Sequence, residues 1–247
     1  MKTKFTLALF ALISVSLAGC GSNNAKNASA SNDGNAEAAT AAKPDGDNSR
    51  TINGHKFVDL GLPSGLLWAE TNIGAETATD NGDYFAWGET APKKSYTWES
   101  GKYFTSEQNM TKYNKADGKT VLDEEDDAAH INWGAPCRMP TEEECMELKD
   151  GENCTWTLET RKTKSGSEIK GYLVKSQKNG SSIFLPFSSS YSGENLLNHN
   201  EEGTYYSSTL FLDYENCALG FVLKSDDAWW SSITRNFGCT IRPVAKP

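Results

Sequence analysis

The sequence has little histidine and no excess of positive charge. Its three histidines, at positions 55, 130 and 199, are far apart and lack the spacing of metal ligands. Lysine and arginine number 24 against 33 acidic residues, for a formal net charge of −9. Because an acidic surface repels phosphate backbones, we expect no nucleic-acid partner.

Motifs of common enzymes are also missing. We find no HExxH, no glycine-rich phosphate loop and no Ser/His/Asp arrangement for a nucleophile. The acidic runs Asp123–Asp127 and Asp226-Asp227 offer oxygen ligands for calcium, but the first coincides with a predicted helix start, where capping explains the acids. We therefore predict no catalytic residue, no metal site and no cofactor.

The N-terminus carries an export and anchoring signal. Two lysines in residues 1–4 precede an apolar run from Phe5 to Leu17, too short for a permanent membrane span. The run ends in Leu17-Ala18-Gly19-Cys20, a lipobox. We predict a signal peptide over 1–19 and diacylglycerol and palmitate on Cys20. Gly21 favours an outer-membrane lipoprotein, with a periplasmic or a surface-exposed face left open.

Composition divides the rest of the chain. Residues 21 to about 50 are rich in Ala, Asn, Ser and Gly and lack aromatics, so we predict a flexible linker after the lipidated cysteine. Residues 51–247 are long enough for one domain. Its short strand-like segments and two helices predict an α+β fold. The strands are expected at 56–60, 66–71, 84–87, 154–160, 170–176, 182–186, 204–209, 218–223 and 239–244.

The two helices have recognisable starts. The first is predicted from Leu122 to Asn132 with Asp123 as its N-cap. The second follows Pro140, where Thr141 and Glu144 have the spacing of a capping box. Met146 and Leu148 of this helix are expected to face the core.

Beyond Cys20 there are five more cysteines, at 137, 145, 154, 217 and 239. An oxidising envelope permits disulfides, and Cys217 with Cys239 is the preferred pair because both begin strand-like segments. The alternative is that all five are small buried apolar side chains.

Several short motifs, in order, resemble one family. HKFVDLGLPSGLLWAETNIGAETATDNGDYFAWGET at 55–90 is similar to the opening of the Fibrobacter succinogenes major paralogous domain. Its middle signature resembles Asp126–Ala129, Asn132–Gly134 and Arg138–Thr141, and later segments from Cys154 to Val244 match in order. Two departures are Cys137, where the family more often has Trp, and the Phe187–Ser190 segment.

This resemblance implies a C-type-lectin-like fold with long loops between the late strands. Loops of that kind hold ligands in related folds, and here they are Tyr191–Gly203 and Ser225–Asn236. Trp229 and Trp230 are adjacent, so on an extended chain they point to opposite faces, and one can be exposed while the other fills the core. The alternative is that both pack under the loops. The candidate ligand-binding residues are Trp229, Trp230, Asp226, Asp227, Arg235, Asn236 and Tyr206.

We therefore expect an envelope lipoprotein whose domain recognises a glycan or a protein without catalysis. Its partners would be the membrane, through the lipid anchor, and an envelope or extracellular ligand. A purely structural envelope protein is the first alternative. A second is an enzyme, because 126–144 is loosely similar to the helix pair of sulfatase-modifying enzymes. Cys217 and Cys239 are too far apart in sequence to match the closely spaced cysteines of those enzymes.

Overall fold

Strands dominate the computed structural model, which describes residues 48–247. Strands make up 41% and helices 8% of it, so the fold is β-rich and the α+β prediction is wrong. The predicted signal peptide, Cys20 and almost all of the linker lie outside the described residues. The strands are β1 Ser49–Ile52, β2 His55–Asp59, β3 Leu67–Ala69, β4 Phe104–Ser106, β5 Asn109–Met110, β6 Cys137–Arg138, β7 Cys154–Lys162, β8 Glu168–Ser176, β9 Ser182–Pro186, β10 Ser190–Ser192, β11 Asn195–Leu197, β12 Glu202–Leu210, β13 Cys217–Lys224, β14 Ala228–Thr234 and β15 Val244–Ala245.

The helices are shorter than the sequence predicts, which is one reason the α+β prediction fails. In place of a helix from Leu122 there is a 3-10 turn at Glu124–Asp126 and then α1, Ala128–Trp133. Asp127 caps α1 by accepting hydrogen bonds from two backbone N–H groups, whereas Asp123 makes no side-chain cap. Neither α1 nor α2 (Glu142–Lys149) is long and apolar enough to cross a membrane, and the same holds for every helix in 48–247.

The start of α2 agrees with its prediction. The Thr141 hydroxyl accepts from the Glu144 backbone N–H, and the Glu144 carboxylate accepts from the Thr141 backbone N–H, so the capping box is confirmed. The predicted core face is half wrong, because Leu148 is buried but Met146 is 47% exposed. Cys145 is buried instead, since residues three apart share a helix face and residues two apart do not.

The strands form five separate sheets. The largest has the order β1-β2-β3-β15-β6, so strands from both ends of the described chain meet in it. Two three-stranded sheets, β7-β8-β9 and β12-β13-β14, and two hairpins, β4-β5 and β10-β11, complete the set. The predicted strand at 84–87 is a single bridge from Phe85 to Cys239. Ser225–Asn236, expected to be a long loop, contains β14, and this missed strand is a second reason for the β-rich fold.

The largest sheet separates two apolar cores. Phe57 and Leu67 belong to one cluster, whereas their chain neighbours Val58 and Trp68 belong to the other. Successive side chains on a strand point to opposite faces, so the two clusters lie on opposite faces of β2 and β3. Tyr206 belongs to the first cluster and Tyr205 to the second, which shows that β12 also alternates between them.

The five cysteines in the described chain are free and buried. The predicted Cys217–Cys239 disulfide is therefore not formed, and the alternative of small buried side chains describes these residues. Burial raises the pKa of every one of these thiols, which keeps them protonated and weakly nucleophilic.

Candidate functional site

The predicted ligand-binding residues do not form one site. Tyr206 is buried, and its hydroxyl donates to the carbonyl of Thr234 at 2.6 Å. Arg235 is fully buried and donates to the carbonyls of Lys112, Tyr113 and Glu215 at 3.1–3.2 Å. Both side chains hold the core together and do not reach a surface ligand, which corrects their predicted role.

Asp226, Asp227 and Trp229 lie at the turn that joins β13 to β14. Both aspartates are exposed, and the Asp227 carboxylate accepts from the Ala228 N–H at 2.7 Å. The ammonium group of Lys224 lies 5.3 Å from the centre of the Trp229 ring. These contacts shape the turn.

Trp230 is half-buried and lines a groove of about 420 Å³. Its ring packs edge-on against Phe221 at 5.1 Å, and its Nε1 donates to Glu142 Oε1 at 2.9 Å. We call this site the Trp230 groove, lined by Thr120, Val121, Glu142, Glu143, Thr209, Leu210, Phe211, Leu212, Asp213, Leu219 and Trp230.

Two connections position the walls of the Trp230 groove. The Glu142 N–H donates to Thr209 Oγ1 at 3.0 Å, which ties the start of α2 to β12. The loop after β12 is closed by backbone bonds between Phe211 and Cys217 and between Cys217 and Tyr214. This loop displays Leu212 and Tyr214, which are 63% and 65% exposed.

Asn236 lies in a different groove, of about 530 Å³. Four segments surround it: the turn that carries Trp98, the β4–β5 hairpin tip with Glu107, the β10–β11 turn, and the chain after β14. We call it the Trp98 groove, lined by Tyr96, Thr97, Trp98, Glu99, Glu107, Ser192, Gly193, Thr234, Asn236 and Phe237.

The wall that carries Trp98 is fastened from both sides. Tyr96 exchanges two backbone hydrogen bonds with Gly193, at 2.8 and 2.9 Å. Ser100 Oγ accepts from the Thr97 N–H and lies 2.9 and 3.0 Å from the Ser95 and Thr97 carbonyl oxygens, which share its one hydrogen. The half-buried Trp98 ring packs edge-on against Phe104 at 5.3 Å. Trp98 is thus held in place before any ligand arrives.

Trp98 is the functional candidate that the sequence prediction missed. The sequence places it among scattered aromatics in a long polar segment, where rings are expected to hold the loop down. Trp98 and the buried Tyr96 lie in the same polar segment, Ser95–Ser100, so the sequence alone does not separate the ring that lines a groove from the ring that fills the core.

A third groove, of about 430 Å³, brings Cys137, His130 and Asp127 together. Those residue types can form a nucleophilic triad, but here the chemistry is unfavourable. Burial and the nearby Asp127 raise the pKa of Cys137. The Asp127 carboxylate accepts from the backbone N–H groups of Ala129, His130 and Met139 instead of orienting an imidazole.

Three carboxylates, of Asp123, Glu125 and Asp126, approach closely enough to hold a cation. Lys112 Nζ lies 2.8, 3.0 and 2.6 Å from them, so an ammonium group takes the place that an ion would occupy. Asp126 also accepts from Lys102 at 2.7 Å. We infer that this cluster stabilises the fold and does not hold a metal ion.

Comparison with known proteins adds nothing to this geometry: no family model matches the chain, and no curated protein or solved structure is significantly similar to it.

Proposed function

We propose that the protein is a non-catalytic recognition module, tethered to the outer membrane through Cys20, that binds a basic protein partner in the Trp230 groove. The observation that carries the proposal is the set of apolar side chains around this groove. Val121, Leu212 and Tyr214 are among the few large hydrophobic residues that are exposed in the described chain.

The aromatic and aliphatic lining suits a protein partner. Tryptophan and tyrosine are enriched at binding hot spots, because one side chain offers a large rigid surface and a polar tip. Phe211 and Tyr214 have ring centres 5.9 Å apart and continue the surface beyond Trp230. An exposed apolar patch of this kind is typical of an interaction surface.

The charge of the groove selects the partner. Glu142, Glu143 and Asp213 line it, and within residues 48–247 it is lined by no lysine or arginine. Complementary charge speeds association and excludes wrong partners. We therefore expect a partner segment in which lysine or arginine flanks an apolar or aromatic residue.

The test uses the mature chain with Cys20→Ser, applied to an array of peptides that vary in charge and aromatic content. We expect binding to basic peptides with an aromatic residue, weakened about tenfold by Trp230→Ala, as for a hot-spot residue. Trp229→Ala is the matched control, because it removes the same side chain one residue away and outside the groove. Leu212→Ser adds a second variant, which removes an exposed apolar side chain without changing the charge of the groove.

Two outcomes contradict the proposal. Binding that neither Trp230→Ala nor Leu212→Ser weakens would move the interaction away from this groove. If no peptide binds although the domain is folded, a purely structural envelope role becomes the better description.

The anchor is tested separately. We expect mass spectrometry of the N-terminal peptide from membranes to find a diacylglyceryl group on Cys20. A Cys20→Ala chain should leave the membrane fraction. An unmodified Cys20 would contradict the proposed tether but would not affect the proposed binding in the Trp230 groove.

A further inference from the structure

We infer that the Trp98 groove binds a neutral glycan. This inference does not rest on the Trp230 groove, because the two sites share no lining residue. Its volume of about 530 Å³ falls within the range of roughly 300–1,000 Å³ that small-molecule sites occupy.

The lining combines the groups that saccharides need. The indole of Trp98 is a flat apolar surface for the C–H face of a sugar ring. The hydroxyls of Thr97, Ser192 and Thr234 can both donate and accept, as sugar hydroxyls do. The carboxylates of Glu99 and Glu107 accept from hydroxyls and make the stronger, charge-assisted hydrogen bonds.

Asn236 supplies an independent sign of a missing partner. Its side chain is only 6% exposed, and Nδ2 donates to the Tyr96 carbonyl at 3.4 Å. Oδ1 has no hydrogen-bond partner within the described residues, and a buried carbonyl without a donor is unfavourable. Asn236 lines the groove but Oδ1 itself is closed to solvent, so we expect a small shift of the Asn236 amide on binding to bring Oδ1 to a ligand hydroxyl, directly or through a water.

The charges of the groove exclude acidic ligands. Two carboxylates line it, and lysine, arginine and histidine are absent from its lining in the described part of the chain. A uronic acid or a sulfated sugar would be repelled. A small cation fits less well than a neutral sugar, because Glu107 already accepts from Asn216 Nδ2 at 3.2 Å and the three hydroxyls match hydroxyl partners better than an ammonium group.

The site needs little rearrangement to bind. The Trp98 turn is closed by the Ser100 hydroxyl. Behind the groove, the Gly238 backbone packs so closely on the Tyr96 ring that a Cβ there would lie 2.7 Å from it. A preformed site loses less conformational entropy on binding, which suits a ligand that offers few contacts per sugar unit.

The experiment titrates the mature chain carrying Cys20→Ser with cellohexaose, laminarihexaose, mannohexaose, xylohexaose and oligogalacturonate. We expect saturable binding of at least one neutral hexasaccharide and none of oligogalacturonate. Trp98→Ala should weaken binding about tenfold or more, whereas Trp98→Tyr, which keeps a ring, should stay within about threefold. Ser192→Tyr should also weaken binding, because it fills the groove from another wall. Thermal unfolding checks that each variant is folded.

Trp230→Ala is the control that separates the two sites. It should leave glycan affinity within about twofold, just as Trp98→Ala should leave peptide binding unchanged. The inference is overturned if none of the neutral hexasaccharides binds to the folded protein, or if Trp98→Ala and Ser192→Tyr leave their binding intact. It is also overturned if choline or lysine binds in the groove while the saccharides do not.

Discussion

Arg235 and Asp126 are both fully buried charged side chains, and both contact the Lys112-Tyr113 segment. Arg235 has no carboxylate at hydrogen-bond distance in the described chain. It donates to three carbonyls and lies 4.8 Å from the centre of the Trp87 ring. Asp126 instead accepts from two lysines and two tyrosines, at 2.6–2.7 Å.

The two environments change the charged groups in different ways. Burial lowers the pKa of Arg235 to about 10, which leaves it charged at neutral pH. Burial alone would raise the pKa of Asp126, but the hydrogen bonds from Lys102, Lys112 and the tyrosines outweigh it and lower that pKa. A buried cation can thus be held by carbonyls and aromatic rings, although Arg235 Nε has no hydrogen-bond partner in the described chain. The buried anion here is instead surrounded by cations that partly reach water.

This difference matters for function because both charges secure the same long loop, residues 89–119, which includes the β4–β5 hairpin. The loop carries Trp98 and Glu107, two walls of the Trp98 groove. Its C-terminal part is fixed by Arg235 and Asp126 through Lys112 and Tyr113. Changes at these two buried charges are therefore expected to affect the Trp98 groove more than the Trp230 groove.

The largest effect is expected from Arg235→Met, which keeps an unbranched side chain but removes every donor. Three carbonyls lose their partner, so we expect the free energy of unfolding to fall by about 3 kcal/mol or more. Urea unfolding measures the loss. A change below about 1 kcal/mol would show that water replaces the guanidinium, contrary to this account.

Asp126→Asn is expected to have a smaller effect, about 2 kcal/mol. Removing one partner of a fully buried ion pair costs more, but Lys102 and Lys112 are only partly buried here and can return to water. The same urea experiment on both variants tests the order. A larger loss for Asp126→Asn than for Arg235→Met would reverse the comparison.

Acid should reduce the stability that the Asp126 cluster contributes. The folded-state pKa of Asp126 lies below its unfolded value, so the unfolded chain binds protons more readily as pH falls below about 4. The contribution is complete above that pH, and about 1 kcal/mol or more should be lost toward pH 3. We expect Asp126→Asn to flatten the dependence of unfolding on pH between 5 and 3, as measured by urea midpoints. An unchanged slope would assign the acid sensitivity to other carboxylates.

The smallest effect is expected from Lys119→Ala. Lys119 pairs with Asp123 at the exposed edge of the same cluster, where solvent screens the interaction. The loss should be below about 1 kcal/mol and should shrink further in high salt. A loss as large as that of Asp126→Asn would mean that the cluster acts as one unit.

Local signals were predictable from the sequence and distant contacts were not. The capping box of Thr141 and Glu144 depends on residues three apart, and the structure has it. The strand at Ser182–Pro186 was also predictable, because an apolar run follows the turn signal Asn179-Gly180. The fold-class prediction was wrong because short strands such as β4 and β10 form through hairpin partners and surrounding contacts. Their own residues do not indicate a strand.

The candidate site failed for the same reason. The sequence pattern groups Arg235, Asn236 and Tyr206 at the loop predicted over Ser225–Asn236. β14 sends Arg235 under the long loop and leaves Asn236 against Tyr96, more than a hundred residues away in sequence. Among the predicted aromatic residues, Trp230 is the one that lines a surface groove, and two of the acids beside it come from α2.

Because the five thiols are buried, their reactivity reports on folding and on the local opening of the folded chain. A chain that reaches an oxidising compartment unfolded presents all of them to oxidants. Closing the two cores removes four of them from reach, and Cys217 is buried at the start of β13. If the chain is exported as proposed, folding competes with the formation of non-native disulfides, and the faster process decides the yield of native protein. Once folded, each thiol can react only when its surroundings open, so alkylation rates at Cys137, Cys145, Cys154, Cys217 and Cys239 would time the opening of five separate places in one molecule.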